Sequence, residues 1–128
     1  MPERPRPGSM GWAELHTTFA NEAKDFYSFV ADWSAEAVDM GDHVDYSMSP
    51  PPTFLDPHPE PAAGIIKARR QSAIWVPYIV VDNVEDAMNR AIRRGAKVEE
   101  EIAEAQGWGR YGMIRDPFGA ITALFEPE

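Results

Sequence analysis

Apolar and polar residues alternate along this chain with two different periods, and the periods change in the same order twice. From Gly11 to Thr18 the period is two: Trp12, Glu14 and His16 fall on one side, Ala13, Leu15 and Thr17 on the other, as a strand requires. Asn21 is suited to capping a helix, and Ala23, Phe26, Tyr27, Val30 and Ala31 then follow the spacing of one helical face. This predicts a helix ending near Trp33. Ser34 to Met40 and His43 to Met48 read as two short strands about a turn at Gly41-Asp42, and Gly64 to Arg69 as a further strand. Between them, Pro50 to Ala63 holds six of the twelve prolines, which excludes helix and central strand and predicts a long surface loop.

The second half repeats this order. Ile74 to Val81 is an apolar strand; Asp82 or Asn83 caps a helix whose apolar face is Val84, Ala87, Met88, Ala91 and Ile92. Gly95 ends that helix, and Arg90, Arg93 and Arg94 sit late in it, where cations suit the dipole. Lys97 to Ile102, Tyr111 to Arg115 and Ala120 to Phe125 follow as strands, the last two joined by a turn at Asp116-Pro117-Phe118-Gly119. The chain therefore reads as an α+β protein of two βαβββ modules, about residues 11–70 and 74–126, in one domain over 11–128. Their sheets could pair into a curved, half-open mixed barrel; a ferredoxin-like sandwich is the alternative, with fewer strands. Residues 1–10 are expected to be a disordered lead-in.

Composition narrows the function classes. At 128 residues and 44% hydrophobic content, one core can form without staples. With no cysteine, disulfides, thiolate metal sites and cysteine nucleophiles are excluded. The net charge of -9 argues against nucleic acid, which needs a basic stripe, and leaves room for a neutral or cationic ligand. No run reaches the roughly 18 apolar residues of a membrane helix, and the start has no apolar signal region; a cytoplasmic location is expected, without a membrane partner.

Several stretches then resemble a known family. Trp12-x-Glu14-Leu15-x-Thr17, with Phe26-Tyr27 and Trp33, resembles the opening of one-domain vicinal oxygen chelate proteins, the glyoxalase, bleomycin-resistance and extradiol-dioxygenase group. Trp75-x-Pro77-Tyr78-Ile79-x-Val81-Asp82-Asn83-Val84 is similar to the start of their second module, and Gly109-Arg110 with Asp116-Pro117-x-Gly119-Ala120 to its closing hairpin. The resemblance implies the glyoxalase/bleomycin-resistance fold, a cupped small-molecule site and a homodimer. Many members hold a divalent metal through His, Glu or Gln of the first and last strands of each module; others bind a drug without metal.

Carried onto this sequence, those ligand positions fall on Trp12 and Val76, near Ala123 and near Ile66, none of which ligates a metal. No metal or other cofactor is expected. Glu14 and His16 remain as candidate catalytic residues: a buried acid–base pair, or two weak ligands. Equally, His16 reads as a solvent-facing strand end, and Glu14 as the partner of a backbone group or an arginine. Trp12, Tyr46, Trp75, Tyr78 and Trp108 would line an aromatic pocket for a planar or cationic molecule if they share one face; each also reads as core or interface. Gly107-Trp108-Gly109-Arg110 looks like a mobile loop, with Arg110 either contacting an anionic or carbonyl group or pairing with one of Glu99, Glu100, Glu101 or Glu104. The reading is a small-molecule binding protein without a tightly held metal, with a lyase, isomerase or dioxygenase-type enzyme as the alternative. No nucleotide-cradling glycine loop, nucleophile elbow or His-Glu-x-x-His is present.

Overall fold

The computed structural model describes residues 5–128. The chain falls into two compact units, one spanning Trp12–Trp75 and the other Val76–Glu128 together with the stretch up to Gly11. In chain order the elements are β1 (Trp12–Thr17), α1 (Ala20–Ala31), β2 (Ser34–Asp39), β3 (Val44–Ser49), β4 (Ala63–Lys67), β5 (Ile74–Val80), α2 (Val84–Arg93), β6 (Lys97–Ala105), β7 (Gly109–Arg115) and β8 (Ile121–Pro127). This is the α+β, twice-repeated βαβββ order that the periodicities predict. Among the described residues no helix is long and apolar enough to cross a membrane.

In the Trp12–Trp75 unit the strands lie in the order β2-β3-β4-β1. β1 runs parallel to β4, with Glu14 opposite Gly64 and His16 opposite Ile66, while β3 is antiparallel to both β2 and β4. Leu15, Met48 and Ile65 meet Ala20, Ala23, Tyr27, Trp33 and Tyr46 in one apolar cluster, which defines the side of the sheet covered by α1. Since side chains alternate along a strand, Trp12, Glu14 and His16 lie on the side facing away from α1.

Helix α1 departs from the sequence reading in two ways. Its N-cap position is Phe19 with no side-chain cap, the turn instead being held by Thr17 Oγ1, which accepts from the Phe19 N–H at 3.1 Å. Asn21 accepts from the Tyr46 hydroxyl instead. The stripe facing the sheet is Ala20, buried, with Ala23 and Tyr27, half-buried, while Phe26 and Val30 are 58% and 59% exposed. Helical spacing alone admitted either stripe; the bulky Tyr27–Trp33 contact with the sheet selected the other one. Asp32 ends the helix in a left-handed conformation at φ 56°.

In the second unit the order is β5-β8-β7-β6, with β5 parallel to β8 and the remaining pairs antiparallel. Asn83 caps α2, its side chain accepting from the Asp86 N–H at 2.9 Å. Val84, Ala87 and Met88 are buried against Ala96, Ile114 and Leu124. Beyond α2, Gly95 takes φ +99° and the Ala96 N–H reaches back to Ala91 O, closing the helix. β6, last in this order, carries Glu99, Glu100, Glu101 and Glu104, charges that discourage pairing with another strand. The turn after β7 is held by Asp116 Oδ1, which accepts from the Phe118 and Ala120 N–H groups.

Of the expected disordered lead-in, residues 1–4 lie outside the described residues. Gly8 and Ser9 are tied to β5: the Gly8 N–H donates to Val80 O at 2.7 Å, and the Val80 N–H donates to Ser9 O at 2.9 Å. The loop expected to be mobile at Gly107–Arg110 is a tight hairpin. The Trp108 N–H bonds to Ala105 O, the Glu128 N–H bonds to Trp108 O, and Gly109 already belongs to β7. Two glycines signalled flexibility in the sequence, but Gly107 and Gly109 serve a turn that needs positive φ.

Candidate functional site

β1 presents three polar-capable side chains in a row. The Trp12 indole Nε1–H donates to Glu14 Oε2 at 3.1 Å, and His16 Nε2 lies 3.2 Å from Glu14 Oε1. The period of two makes this possible, since residues i and i+2 share a face. His16 is buried and Glu14 half-buried, so the carboxylate is partly withdrawn from water while each oxygen meets a nitrogen. Chemically the row offers an aromatic plate, a carboxylate and an imidazole within one hydrogen-bonded line. The solvent-facing reading of His16 is replaced by a buried one.

One residue that the sequence reading passed over belongs to this row. A Cβ placed on Gly64 would lie 3.2 Å from Trp12 Cζ2 and 3.3 Å from Glu14 Cγ. The indole and the carboxylate stem therefore lie across a bare stretch of β4 backbone. An isolated glycine within a strand pattern was the available signal, since it marks close approach.

The other expected site residues stand on other elements of the two units. Tyr46 pairs with Ile65 and stands on the α1 side, its hydroxyl bonded to Asn21 Oδ1 and its ring under Lys24 Nζ at 5.1 Å. The strand register thus separates it from Trp12 by the thickness of the sheet. Trp75 donates its indole N–H to the Tyr27 hydroxyl at 3.3 Å and packs edge-on against Tyr27 and Trp33. Tyr78 is buried in the second unit beside Tyr111 and Phe125. Trp108 is 71% exposed at its turn. Within the Trp12–Trp75 unit, Tyr46 and Trp75 complete the packing around α1.

Arg110 forms an ion pair, but not with the β6 carboxylates. Its guanidinium bonds to Glu85 at the start of α2 and to Glu126 on β8, the latter at 3.0 Å. These bonds, with Glu85 the stronger influence, hold the arginine's pKa above its ordinary value. Across β6 and β7, Arg115 takes Glu99 instead, at 2.9 Å. Glu126 Oε1 also accepts from the Val84 N–H at 2.9 Å, so one carboxylate serves both Arg110 and the first turn of α2.

The metal site that the resemblance implies does not fit these residues. Of its four positions, Val76 and Ala123 are fully buried apolar side chains, and Trp12 and Ile66 offer no metal donor. No group of three or more His, Asp or Glu among the described residues could hold a metal ion. A tight divalent site needs about four donors, or three and an open position.

The family model described as the Glyoxalase/Bleomycin resistance protein/Dioxygenase superfamily matches residues 9–124. The chain belongs to this superfamily. It is similar to the protein named "Putative glyoxylase CFP32" from Mycobacterium bovis and to its counterpart in Mycobacterium tuberculosis. Each is 30% identical over 134 residues, covering 98% of this chain and 49% of the relative. The chain thus spans about half the length of the curated relatives it matches. Among solved structures, methylmalonyl-CoA epimerase from Mycobacterium tuberculosis aligns over 100% of this chain and 93% of its own, with TM-score 0.61 and 13% identity. A Streptomyces coelicolor methylmalonyl-CoA epimerase variant in complex with 2-nitronate-propionyl-CoA aligns over 95% and 99%, with TM-score 0.63 and 8% identity. At such identities these structures bear on the fold, which is the α+β fold of the superfamily.

Proposed function

We propose that the chain binds a small organic molecule, planar or cationic in the part that is recognised, on the β1 face that carries Trp12, Glu14 and His16. The hydrogen-bonded row itself supports this reading most strongly: indole, carboxylate and imidazole are held in register on the side of the sheet that α1 leaves uncovered. A carboxylate beside an aromatic plate suits a cationic or hydrogen-bond-donating group. Recognition proceeds without a tightly held metal, because the implied ligand positions carry no donors. Tryptophan fluorescence titrated with a panel of aromatic cations and aromatic alcohols tests the reading. Saturable quenching that is lost in Trp12→Phe and weakened in Glu14→Gln is expected; no response to any probe overturns it.

A second reading follows from the 3.2 Å contact between His16 Nε2 and Glu14 Oε1. A buried imidazole bonded to a carboxylate can take and return a proton, the chemistry of a lyase or isomerase. The name of the curated relatives, glyoxylase, favours a reaction of this kind. On this reading Glu14→Gln and His16→Ala abolish turnover while leaving ligand affinity within a few-fold.

The same proposal includes a homodimer in the cytoplasm. Phe26, Phe29 and Val30 form an exposed apolar strip on α1 that a second copy would cover. Mass in solution tests the dimer, and Phe29→Glu should shift it to monomer.

A further inference from the structure

We infer that the connector between β4 and β5 is a binding site for an oxyanion, the phosphate or carboxylate group of a small molecule. This chain has a net charge of -9, yet Lys67, Arg69 and Arg70 fall within four residues of one another. Arg110 and Arg115 are ion-paired to Glu85, Glu126 and Glu99. Among the described residues, Arg69 and Arg70 have no carboxylate partner. Arg70 Nε is also shut off from solvent and has no hydrogen-bond acceptor. A buried N–H without an acceptor is unfavourable, and a small shift of the Arg70 guanidinium toward a ligand oxygen would satisfy it.

The surroundings are shaped for such an oxygen. An open depression of about 400 Å³ is lined by Arg69, Arg70, Gln71, Ser72 and Ile74. Two arginines, a glutamine and a serine follow one another in its lining, and no carboxylate residue belongs to it. Guanidinium groups match the two-oxygen edge of a phosphate or carboxylate with parallel N–H bonds.

Thr18 holds the backbone that presents these groups. Its hydroxyl lies 3.2 Å from Ala68 O and 3.1 Å from Arg70 O, while the Arg70 N–H approaches Thr18 Oγ1 at 3.4 Å. The hydroxyl donates its one proton to one of the two carbonyls at a time and accepts from the amide. The Ala68 N–H is fixed to Thr17 O at 2.9 Å. The two arginines are therefore presented by an anchored segment, which reduces the ordering required when a ligand arrives. No residue is shared with the Trp12–Glu14–His16 row, so either assignment survives failure of the other.

The test is a ¹H–¹⁵N titration of the full chain with sodium phosphate, and separately with sodium acetate, at ionic strength held constant with sodium chloride. Saturable shifts of the Gln71 and Ser72 amides and of the Arg70 Nε–H are expected. The phosphate and acetate arms show which oxyanion the site prefers. Arg70→Gln should weaken the apparent affinity by about tenfold, since one charge-assisted pair is lost. Should Arg70→Gln disturb the amide spectrum as a whole, Arg69→Gln, at an exposed position, carries the comparison with the same expected loss. Shifts that never saturate, an equal response to chloride, or unchanged affinity in a folded arginine variant would overturn the proposal.

Discussion

Glu14 joins His16 and Trp12 through its two carboxylate oxygens, one meeting the imidazole Nε2 at 3.2 Å and the other the indole Nε1–H at 3.1 Å. Removing the carboxylate leaves a buried imidazole nitrogen and a half-buried indole nitrogen without this acceptor. Glu14→Ala is expected to lower unfolding free energy by about 1–3 kcal/mol, and Glu14→Gln by about 1 kcal/mol, because the amide oxygen still serves one nitrogen. Urea unfolding of both variants checks the order.

The indole of Trp12 depends on the bareness of Gly64. In Gly64→Val the new side chain meets atoms that already stand 3.2 and 3.3 Å from a Cβ, so Trp12 and Glu14 must move outward. A red shift of tryptophan emission and loss of any fluorescence-detected ligand response are the expected results. Gly64→Ala should give the same changes in smaller measure.

Gly109 tolerates no side chain at all. It sits at φ +145°, and a Cβ there would fall 2.0 Å from Glu126 O and 2.9 Å from Pro127 Cα, both backbone atoms. The Gly109→Ala change should therefore destabilise by about 3 kcal/mol or more. Thermal unfolding of this variant, compared with Gly107→Ala at an open turn position, separates the steric clash from the cost of positive φ alone.

Helix α2 offers a milder test. Asn83→Ala removes the side-chain acceptor of the Asp86 N–H and is expected to cost about 1 kcal/mol, with Asn83→Asp close to neutral. Denaturant midpoints at unchanged slope check this.

Asp42 provides a pH signature. Its hydrogen bond to His43, assisted by the charge of His43 and, more weakly, of Lys67, holds its carboxyl below the ordinary 3.8. A folded value below the unfolded one means the stabilisation is present above 3.8 and disappears as pH falls through the lower folded value. Carboxyl ¹³C titration should show the Asp42 midpoint below 3.8 and rising toward it in His43→Gln.

Most of the element order was legible because it is local. The period-two row at Trp12, Glu14 and His16, the α2 stripe at Val84, Ala87, Met88 and Ala91 (the expected Ile92 being 46% exposed), the cap at Asp82 or Asn83 and the Asp116–Gly119 turn depend on residues within a few positions of one another. The α1 stripe was less legible. Its helix carries apolar residues on adjacent faces, so packing against Leu15 and Ile65 had to choose among them.

By itself, then, the sequence determined two strand–helix–strand units, their boundaries within a few residues, and the vacancy of the implied metal-ligand positions, which is a matter of residue type. Only the tertiary structure decided which side of a sheet each aromatic takes, so that Tyr46 stands behind the sheet from Trp12. It also decided that Arg110 meets Glu85 and Glu126 instead of the β6 glutamates, and that Arg70 is left without an acceptor. The reason is physical: periodicity is set by neighbours along the chain, whereas strand register and charge pairing are set by residues brought together from distant positions.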